Sequence, residues 1–368
     1  MRILLDYRPA LRHRTGVGEY VHALAEALQQ ILTAEDTLTL FSSSWRDRVA
    51  GTPVPGAAVV DARVPVRILN YAWHRAEWPP VEAFAGRLDI AHAAHPLMIP
   101  SRRAARVITV HDLDFLDYPE RTRAEIRRDY PALVAQHARR ADLVVTVSES
   151  VAGDVHTRLD VSTDRLVVCR PGAPPWDPRE PPPGVGPILF LGTLEPRKNV
   201  AGLLRAYERV RTMRPEAPAL LLAGPAVEQS AAVVETASRM PGVQLLGYVH
   251  DEQRQRLYRA ASMLVLPSLH EGFGLPALEA MTIGVPVIAA RRGALPEVVG
   301  DAGILVDPLD EGGLANAIEC VLADPNRRRA MAEAGVRRSR QFSWAISAER
   351  LLEAYRSTLV RRRAQAAR

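Results

Sequence analysis

Lysine is nearly absent from this chain of 368 residues. Lys198 is the one lysine among 47 basic residues, and all the others are arginine. The bias reflects overall composition, but it makes the one exception informative. Arginine carries a wide planar fork, whereas lysine carries a compact charge on a thin, mobile stem. We therefore predict that Lys198 serves a narrow site that needs a slim cation.

Cysteines and long apolar runs are also scarce. The two cysteines, Cys169 and Cys320, have no paired spacing and no histidine cluster beside them, which fits a reducing compartment and argues against a structural zinc site. No apolar run approaches the length of a membrane span. The opening strand Arg2–Asp6 is too short to be the core of a signal peptide. We therefore expect a cytoplasmic protein.

The formal net charge is a modest +5, and the clearest basic segment is the C-terminus. From Glu353 onward the chain carries five arginines and one acidic residue. A solvated helix end explains this tail, and attraction to the anionic inner face of the membrane is the alternative. Residues 63–78 mix arginine with tryptophan, which fits either a half-buried helix or an acceptor-side or membrane-contact surface. No basic stripe of the kind that nucleic-acid binders show is evident, so no nucleic-acid partner is expected.

Short apolar runs alternate with helical patterns along the chain. A chain of this length is too long for one ordinary core and suits two domains. Alternating strands and helices predict parallel sheets covered by helices on both faces. We therefore predict an α/β fold with two doubly wound, Rossmann-like domains. The predicted strands are Ile3–Leu5, Leu38–Phe41, Ile90–His92, Arg106–Val110, Leu143–Val147 and Leu166–Cys169 in the first half, and Ile188–Leu191, Ala219–Ala223, Val243–Leu246, Met263–Leu266, Val287–Ala289 and Gly303–Val306 in the second.

A proline-rich stretch separates the two halves. Eight prolines between residues 170 and 187 exclude a helix or a central strand there. We predict domains at 1–170 and 188–343, a linker at 171–187, and a C-terminal helix with a basic tail at 344–368 that could cross back to the first domain. Ligands bind at the carboxyl ends of strands in open parallel sheets, so two such domains are expected to face a central cleft.

Arg197 and Lys198 form a cation pair at the start of a predicted helix. They lie in the segment Gly192–Asn199, which follows the apolar run Ile188–Leu191. Cations are disfavoured beside the positive end of a helix dipole unless an anion is present. Helix starts that follow strands also bind phosphate through their free amides. The pattern therefore predicts a phosphate site, with an exposed cation pair as the alternative.

A second motif, His270–Glu279, combines glycines and carboxylates at the start of another predicted helix. Gly272 and Gly274 let the backbone pass close to a ligand, and Glu271 and Glu279 can point into the same cleft. A glycine loop with a helix-start carboxylate and no ligand is the alternative. The amides that could bind phosphate at this helix start belong to Phe273, Gly274 and Leu275.

Two further motifs lie in the first half. Gly16 and Gly18 follow the first strand, but a dinucleotide-binding fingerprint would need a third glycine where this chain has Val21. An NAD site is therefore weakly supported, and a simple strand–helix turn is the alternative to a ligand-binding loop. His111 ends a predicted strand, where a site role is favoured over a structural one. Asp114 is expected to be a solvated loop acid.

Together these motifs resemble one enzyme family. His270–Glu279 is similar to the E-x7-E signature of the retaining glycosyltransferases of family 4, which have the GT-B fold, and Gly192–Asn199 is similar to the family's phosphate-binding segment. The resemblance covers nearly the whole chain and is closest to bacterial mannosyltransferase-type members. Its other landmarks are the Gly-x-Gly loop at Gly16 and Gly18, Val110–Asp112, Gly284–Ile288 and Gly303–Pro308.

The resemblance implies roles for the second half of the chain. Arg197 and Lys198 would neutralise the donor diphosphate, because fixed cations stabilise the charge that develops on a departing nucleotide. Glu279 would bind the ribose hydroxyls. Glu271 would contact the donor sugar or stabilise the positive charge at its anomeric carbon, and Gly192 would belong to the phosphate-binding segment. The nucleotide base would lie beside the backbone near Val249.

For the first half, the resemblance implies a loop that closes over the donor diphosphate. Gly16 and Gly18 would present amides there, and His111 would contact a hydroxyl of the donor sugar. No metal or other cofactor is implied. Front-face departure, in which the leaving phosphate takes the acceptor's proton, is preferred to covalent attack by Glu271.

These features predict a retaining glycosyltransferase that moves a hexose from a nucleotide diphosphate sugar to a hydroxyl acceptor. GDP-mannose is the first prediction for the donor, with UDP- and dTDP-linked sugars left open. The acceptor would be a lipid-linked glycan or a small natural-product aglycone. The alternatives are a GT-B nucleotide-sugar epimerase and a non-catalytic nucleotide-sugar-binding protein.

Overall fold

A computed structural model describes residues 1–11, 16–43, 45, 48–49, 51–118, 129–180 and 184–367. The two residues that precede the Gly-x-Gly loop, Arg14 and Thr15, lie outside the described part, as do three prolines of the predicted linker. The chain forms two compact units, one of residues 1–172 with 343–368 and the other of residues 173–342.

The first unit contains a parallel sheet of seven described strands. Their order across the sheet is β3-β2-β1-β4-β5-β6-β7, so the direction of winding reverses between β1 and β4. The middle strands are apolar runs buried on both faces, as expected for a parallel sheet under helices. The strands are β1 Arg2–Asp6, β2 Thr37–Ser42, β3 Ala58–Asp61, β4 Ile90–Ala93, β5 Ala105–Val110, β6 Leu143–Thr146 and β7 Leu166–Val168.

The helices of the first unit include the last helix of the chain, α14. Its Tyr355 hydroxyl lies 2.6 Å from Nδ1 of His92 in β4, and the Trp344 ring meets the Tyr20 ring edge to face at 5.5 Å. Buried aromatic contacts of this kind fix the helix on the sheet. The helices are α1 Gly16–Ile31, α2 Val66–Ala76, α3 Glu82–Ala85, α4 Asp114–Asp117, α5 Tyr130–Arg140, α6 Glu149–Leu159 and α14 Trp344–Ala366.

The second unit contains a parallel sheet of six described strands. The order is β10-β9-β8-β11-β12-β13, so the winding reverses between β8 and β11. These two strands are direct neighbours, with Met263 paired to Ile188. The strands are β8 Ile188–Leu191, β9 Leu220–Ala223, β10 Val243–Gly247, β11 Met263–Leu266, β12 Val287–Ala290 and β13 Ile304–Val306.

One helix of the second unit, α10 (Leu275–Ile283), is buried on nearly every side, from Ala277 to its end. Glycines in the left-handed conformation flank it: Gly274 precedes it with φ +100° and Gly284 follows it with φ +82°. The other helices of this unit are α7 Val200–Met213, α8 Ala231–Arg239, α9 Asp251–Ala260, α11 Leu295–Val299, α12 Glu311–Ala323 and α13 Pro325–Ser339.

The structure confirms the predicted fold class of two doubly wound α/β units. Each predicted strand is present to within one or two residues at its ends. The edge strand β3 was not predicted, and its four residues are all at least partly exposed. The described part of the proline-rich stretch forms neither helix nor strand, because proline lacks the amide that both need.

Candidate functional site

The strongest candidate site lies where the winding of the second unit's sheet reverses. The segment after β8 carries Arg197 and Lys198, and the segment after β11 carries Glu271. Because β8 and β11 are adjacent and parallel, their carboxyl ends meet at one point of the sheet edge. Open α/β sheets bind ligands at such a point.

Lys198 and Glu271 form a buried ion pair. Nζ of Lys198 lies 2.6 Å from Oε1 of Glu271, although the two residues are 73 positions apart in sequence. Lys198 is 9% exposed and Glu271 is 6% exposed. The hydroxyl of Ser268 donates to the same carboxylate oxygen at 2.7 Å. The one lysine of the chain is therefore held in a narrow, nearly dry position, and the exposed-pair alternative for it is wrong.

Arg197 extends the charge cluster. One guanidinium nitrogen lies 3.5 Å from Oε2 of Glu271, and another lies 2.8 Å from a carboxylate oxygen of Glu195. Burial by itself would raise the pKa of Glu271, but Lys198 and Arg197 outweigh it and hold the pKa of that carboxyl below its usual value. Glu271 is therefore an anion at neutral pH and keeps two cations converged on one spot.

Local backbone geometry fixes the cation pair. Asn199 adopts a left-handed conformation with φ +53°, and its side chain accepts a hydrogen bond from the amide of Gly202 at the start of α7. The amide of Leu269 donates to the carbonyl of Arg197 at 2.7 Å, which ties the two loops together. Gly192 lies at the base of the turn, where a Cβ would come within 3.8 Å of the Lys198 side chain.

The loop before α10 is shaped by close packing. A Cβ on Gly274 would lie 2.6 Å from a methyl group of Leu295, and a Cβ on Gly293 would lie 2.6 Å from the carbonyl oxygen of Glu271. Phe273 is buried, and its ring packs edge to face on Phe342 at 5.8 Å. The side chain of Phe273 therefore belongs to the core, which leaves its amide, with those of Gly274 and Leu275, for ligand binding at the helix start.

Glu279 is fixed one turn into α10 by two side chains of α9. The Tyr258 hydroxyl donates to its Oε2 at 2.8 Å, and a nitrogen of Arg254 lies 3.4 Å from its Oε1. Arg254 in turn lies over the Trp176 ring at 5.5 Å. Burial and the neighbouring Glu279 raise the pKa of Tyr258 well above its usual value, so its hydroxyl stays a donor.

Sequence reasoning missed the residues that support Glu279 and Glu271. Tyr258 and Arg254 are four residues apart on α9 and so share one face of that helix, a spacing that could have signalled them. Ser268 gave no signal. Val249, predicted to lie beside the base, is partly exposed in the turn between β10 and α9. The roles of all these residues stay predictions.

The predicted site residues of the first unit are Gly16, Gly18 and His111. Gly16 is exposed at the start of α1, whereas Gly18 is buried, and a Cβ there would lie 2.7 Å from the Pro9 carbonyl. Close packing therefore requires glycine at position 18. His111 follows β5, and its Nε2 lies 3.1 Å from the carbonyl oxygen of Ala94.

A carbonyl can only accept, so Nε2 of His111 carries the proton and Nδ1 is left as an acceptor. Burial lowers the pKa of His111 and keeps the ring neutral. This state suits contact with a sugar hydroxyl, as predicted, better than proton donation. The expectation for Asp114 is wrong, since that residue is 7% exposed at the start of α4.

A cluster at the reversal point of the first unit was not predicted. Asp6, at the end of β1, is fully buried and accepts hydrogen bonds from the Arg8 guanidinium at 2.7 and 2.8 Å. Nε2 of His95 lies 3.2 Å from the same carboxylate. Burial would raise the pKa of Asp6, but Arg8 and His95 hold it well below its usual range. An acid at a strand end with an arginine two residues later was the available signal.

The described residues contain neither a metal-binding cluster nor a membrane-spanning helix. No group of three or more His, Cys, Asp or Glu side chains in that part of the chain is arranged to hold a metal ion. None of its helices is long and apolar enough to cross a membrane. The absence of a cofactor stays a prediction.

Comparison with known proteins identifies the family. A family model described as "Glycosyltransferase Family 4" matches residues 14–177, and one described as "Glycosyl transferases group 1" matches residues 186–324. "O-antigen chain mannosyltransferase B" of Escherichia coli is 30% identical over 97% of this chain and 100% of that relative. The chain belongs to glycosyltransferase family 4.

Solved structures agree with the fold of this family 4 glycosyltransferase. Sucrose-phosphate synthase from Thermosynechococcus elongatus superposes with a TM-score of 0.77 at 22% identity, covering 98% of this chain and 99% of that one. An Anabaena protein in complex with UDP and glucose gives 0.71 at 18% identity, covering 97% and 100%. The fold is GT-B. The family and its relatives show a transferase and favour neither the epimerase nor the non-catalytic alternative, and a retaining mechanism is consistent with family 4.

Proposed function

We propose that this enzyme transfers a hexose, with retention of anomeric configuration, from GDP-mannose to a hydroxyl of a lipid-linked glycan or a small aglycone. The observation that carries the proposal is the buried contact of Lys198 with Glu271 at 2.6 Å, with Arg197 beside it at the reversal point of the sheet. The cluster contains two cations and two carboxylates, because Glu195 also lies 2.8 Å from Arg197.

The cluster is suited to a leaving diphosphate. Bond cleavage at the anomeric carbon places negative charge on the departing nucleotide, and fixed cations in a dry site stabilise that charge without having to reorganise. The two cations face two carboxylates, Glu271 between them and Glu195 beside Arg197. An incoming diphosphate would therefore meet a preformed cation pair beside the amides of Gly274 and Leu275, and it would compete with Glu195 for Arg197.

Glu271 has a second proposed role at the sugar. Its depressed pKa keeps it ionised, so it can stabilise positive charge that grows at the anomeric carbon. Lys198 and Ser268 both bind its Oε1, which makes that oxygen a poor nucleophile. This arrangement supports front-face departure, in which the leaving phosphate accepts the proton of the acceptor hydroxyl.

Glu279 is proposed to bind the ribose hydroxyls. Its two oxygens are already oriented by Tyr258 and Arg254, and a carboxylate accepts hydrogen bonds from a vicinal diol well. The base would lie near Val249. The roles proposed for Gly16, Gly18 and His111 concern the other unit and are to be tested there by variants of their own.

The choice of GDP-mannose is supported by the full-length relative, which is named as a mannosyltransferase. The structural neighbour that binds UDP and glucose is far more distant in sequence. The side chains near Val249 do not indicate which base is bound, so the donor has to be established by binding.

A thermal-shift comparison of GDP, UDP, dTDP and ADP tests the donor. A ligand at about 100 times its Kd stabilises the folded state by about 2.7 kcal/mol. We expect GDP to raise the Tm of the enzyme most. A larger Tm shift with another nucleotide diphosphate would mean that the donor carries that nucleotide instead of GDP. No Tm shift with any of the four would contradict the proposed donor site.

A further inference from the structure

A concavity lined by arginines lies at the edge of the second unit's sheet that is opposite the proposed donor site. A cavity of about 650 Å³ borders Ser262 and Pro286, the residues that immediately precede β11 and β12. The proposed donor residues follow the carboxyl ends of β8 and β11. The cavity is therefore at the amino ends of the strands and is no part of the donor site.

Positive charge dominates the lining of this cavity. The helix α13 contributes a row of charged residues spaced by three or four positions, which places them on one face. Small and apolar groups such as Gly284 and Val336 form much of the remaining wall. The charged lining residues are Arg179, Arg328, Arg329, Arg337, Arg340 and Glu333.

Two of these arginines bind backbone carbonyls at helix ends. Arg179 donates from one nitrogen to the carbonyls of Tyr258, Arg259 and Ala261 at 3.1, 2.8 and 2.6 Å, around the end of α9. Arg328 donates to two carbonyls at the end of α12, at 2.7 and 2.8 Å. Cations at helix C-termini are favourable, so these contacts explain why both positions carry a cation.

The other three arginines of the cavity do not bind a helix end. The side chains of Arg329, Arg337 and Arg340 make no hydrogen bond or ion pair with the part of the chain that the structure describes. The Nε of Arg179 is buried and also lacks a partner there. Burial and the nearby Arg259 lower the pKa of Arg179 only to about 10, so it is still charged at neutral pH. Like charges that line one concavity focus a positive potential on it.

We propose that this cavity binds a small, soluble, multiply phosphorylated anion. Arginine forks match phosphate oxygens in geometry as well as charge, and a concavity of this size suits a metabolite-sized ligand. None of its lining residues is among the exposed large hydrophobic side chains of the described chain. The cavity thus lacks the apolar anchors of a surface that lies on a membrane.

Hydrogen exchange with inorganic pyrophosphate locates the site. Because the donor cations also attract pyrophosphate, the peptides are read separately. We expect added pyrophosphate to slow exchange in residues 325–340 independently of any protection in residues 192–203. Protection of the donor segment alone would overturn the cavity proposal and leave the proposed function intact.

Matched arginine variants test the contacts. In calorimetric titrations at constant ionic strength, Arg329→Gln with Arg337→Gln should weaken pyrophosphate binding at the cavity by about tenfold or more. The control, Arg327→Gln with Arg363→Gln, removes the same charge from exposed positions outside the cavity. It should change the affinity by less than about twofold.

Equal losses in the two double variants would overturn the proposal, because they would show a general charge effect. A second result would also overturn the proposal. If residues 325–340 are protected from exchange by phosphatidylglycerol vesicles but not by soluble pyrophosphate, the ligand is a membrane surface.

Discussion

At the scale of single residues, the least common basic residue marks the site. Lys198 stands out against the arginines by composition alone, and its short contact with Glu271 shows why a slim cation is used there. A guanidinium is wider than an ammonium, and Lys198 shares Oε1 of Glu271 with the Ser268 hydroxyl. The sequence therefore predicted Arg197, Lys198, Glu271 and Glu279, but not the charged partners Glu195 and Arg254.

The residues that orient those charges were not predictable in the same way. Ser268, Tyr258 and Arg254 are of common types with no motif of their own. They become functional candidates only because the fold brings them to Glu271 and Glu279. Such supporting contacts depend on side-chain directions, which sequence spacing alone does not determine.

The proposed ribose contact of Glu279 gives a prediction at this scale. Glu279→Gln should weaken GDP binding by about tenfold, because a charge-assisted hydrogen bond is lost. The same change should hardly affect 2′,3′-dideoxy-GDP, which has no ribose hydroxyls. Calorimetry with both ligands measures the difference. Glu252→Gln, at an exposed position of α9, is the control, and an equal loss for both ligands would contradict the ribose assignment.

At the scale of elements, glycine geometry determines how α10 meets its ligand loop. Gly274→Ala should destabilise the enzyme by about 2–4 kcal/mol, since the new Cβ meets Leu295 at 2.6 Å in a left-handed backbone. The control is Gly247→Ala, where φ is +64° but nothing lies within 4 Å, and about 1–2 kcal/mol is expected. Denaturant unfolding compares them, and equal costs would contradict the packing argument.

The contact of α14 with its sheet gives a pH prediction. His92 is fully buried, with Nδ1 2.6 Å from the Tyr355 hydroxyl and Nε2 2.7 Å from the Thr109 hydroxyl. Burial lowers the pKa of His92 to about 3. The unfolded chain therefore takes up this proton first as the pH falls below about 6.5, and stability is lost progressively from there towards pH 3.

The variant His92→Gln tests whether protonation of His92 causes this loss of stability at low pH. Between pH 7 and pH 5 the wild-type enzyme should lose about 2 kcal/mol more unfolding free energy than the variant does. Denaturant unfolding at the two pH values measures it. Parallel losses in both proteins would show that His92 is not the group responsible.

Elements themselves were predictable where the pattern was strong. The buried strands of both sheets are apolar runs of four to six residues, and alternation with helices predicted that they are parallel. The edge strand β3 was missed because exposure on several sides leaves no such run. The pairing order and the two reversal points, which locate the sites, were visible only in the structure.

At the scale of the whole molecule, two sheets each place charged residues at a reversal point. In the second unit these are the cations and carboxylates predicted from sequence, and in the first unit they are the unpredicted Asp6, Arg8 and His95. The general rule for open α/β sheets connects both observations. Membership of glycosyltransferase family 4 agrees with this rule. The identities of the donor and the acceptor have to be determined by experiment.

The central claim is that Lys198, with Arg197, binds the donor diphosphate. Calorimetry of GDP and of guanosine with the wild-type enzyme and with Lys198→Ala tests it most directly. We expect the variant to lose about a hundredfold in affinity for GDP, because a charge-assisted contact is removed from a nearly dry site, and to bind guanosine as the wild type does. Unchanged GDP affinity, or an equal loss for guanosine, would contradict the claim.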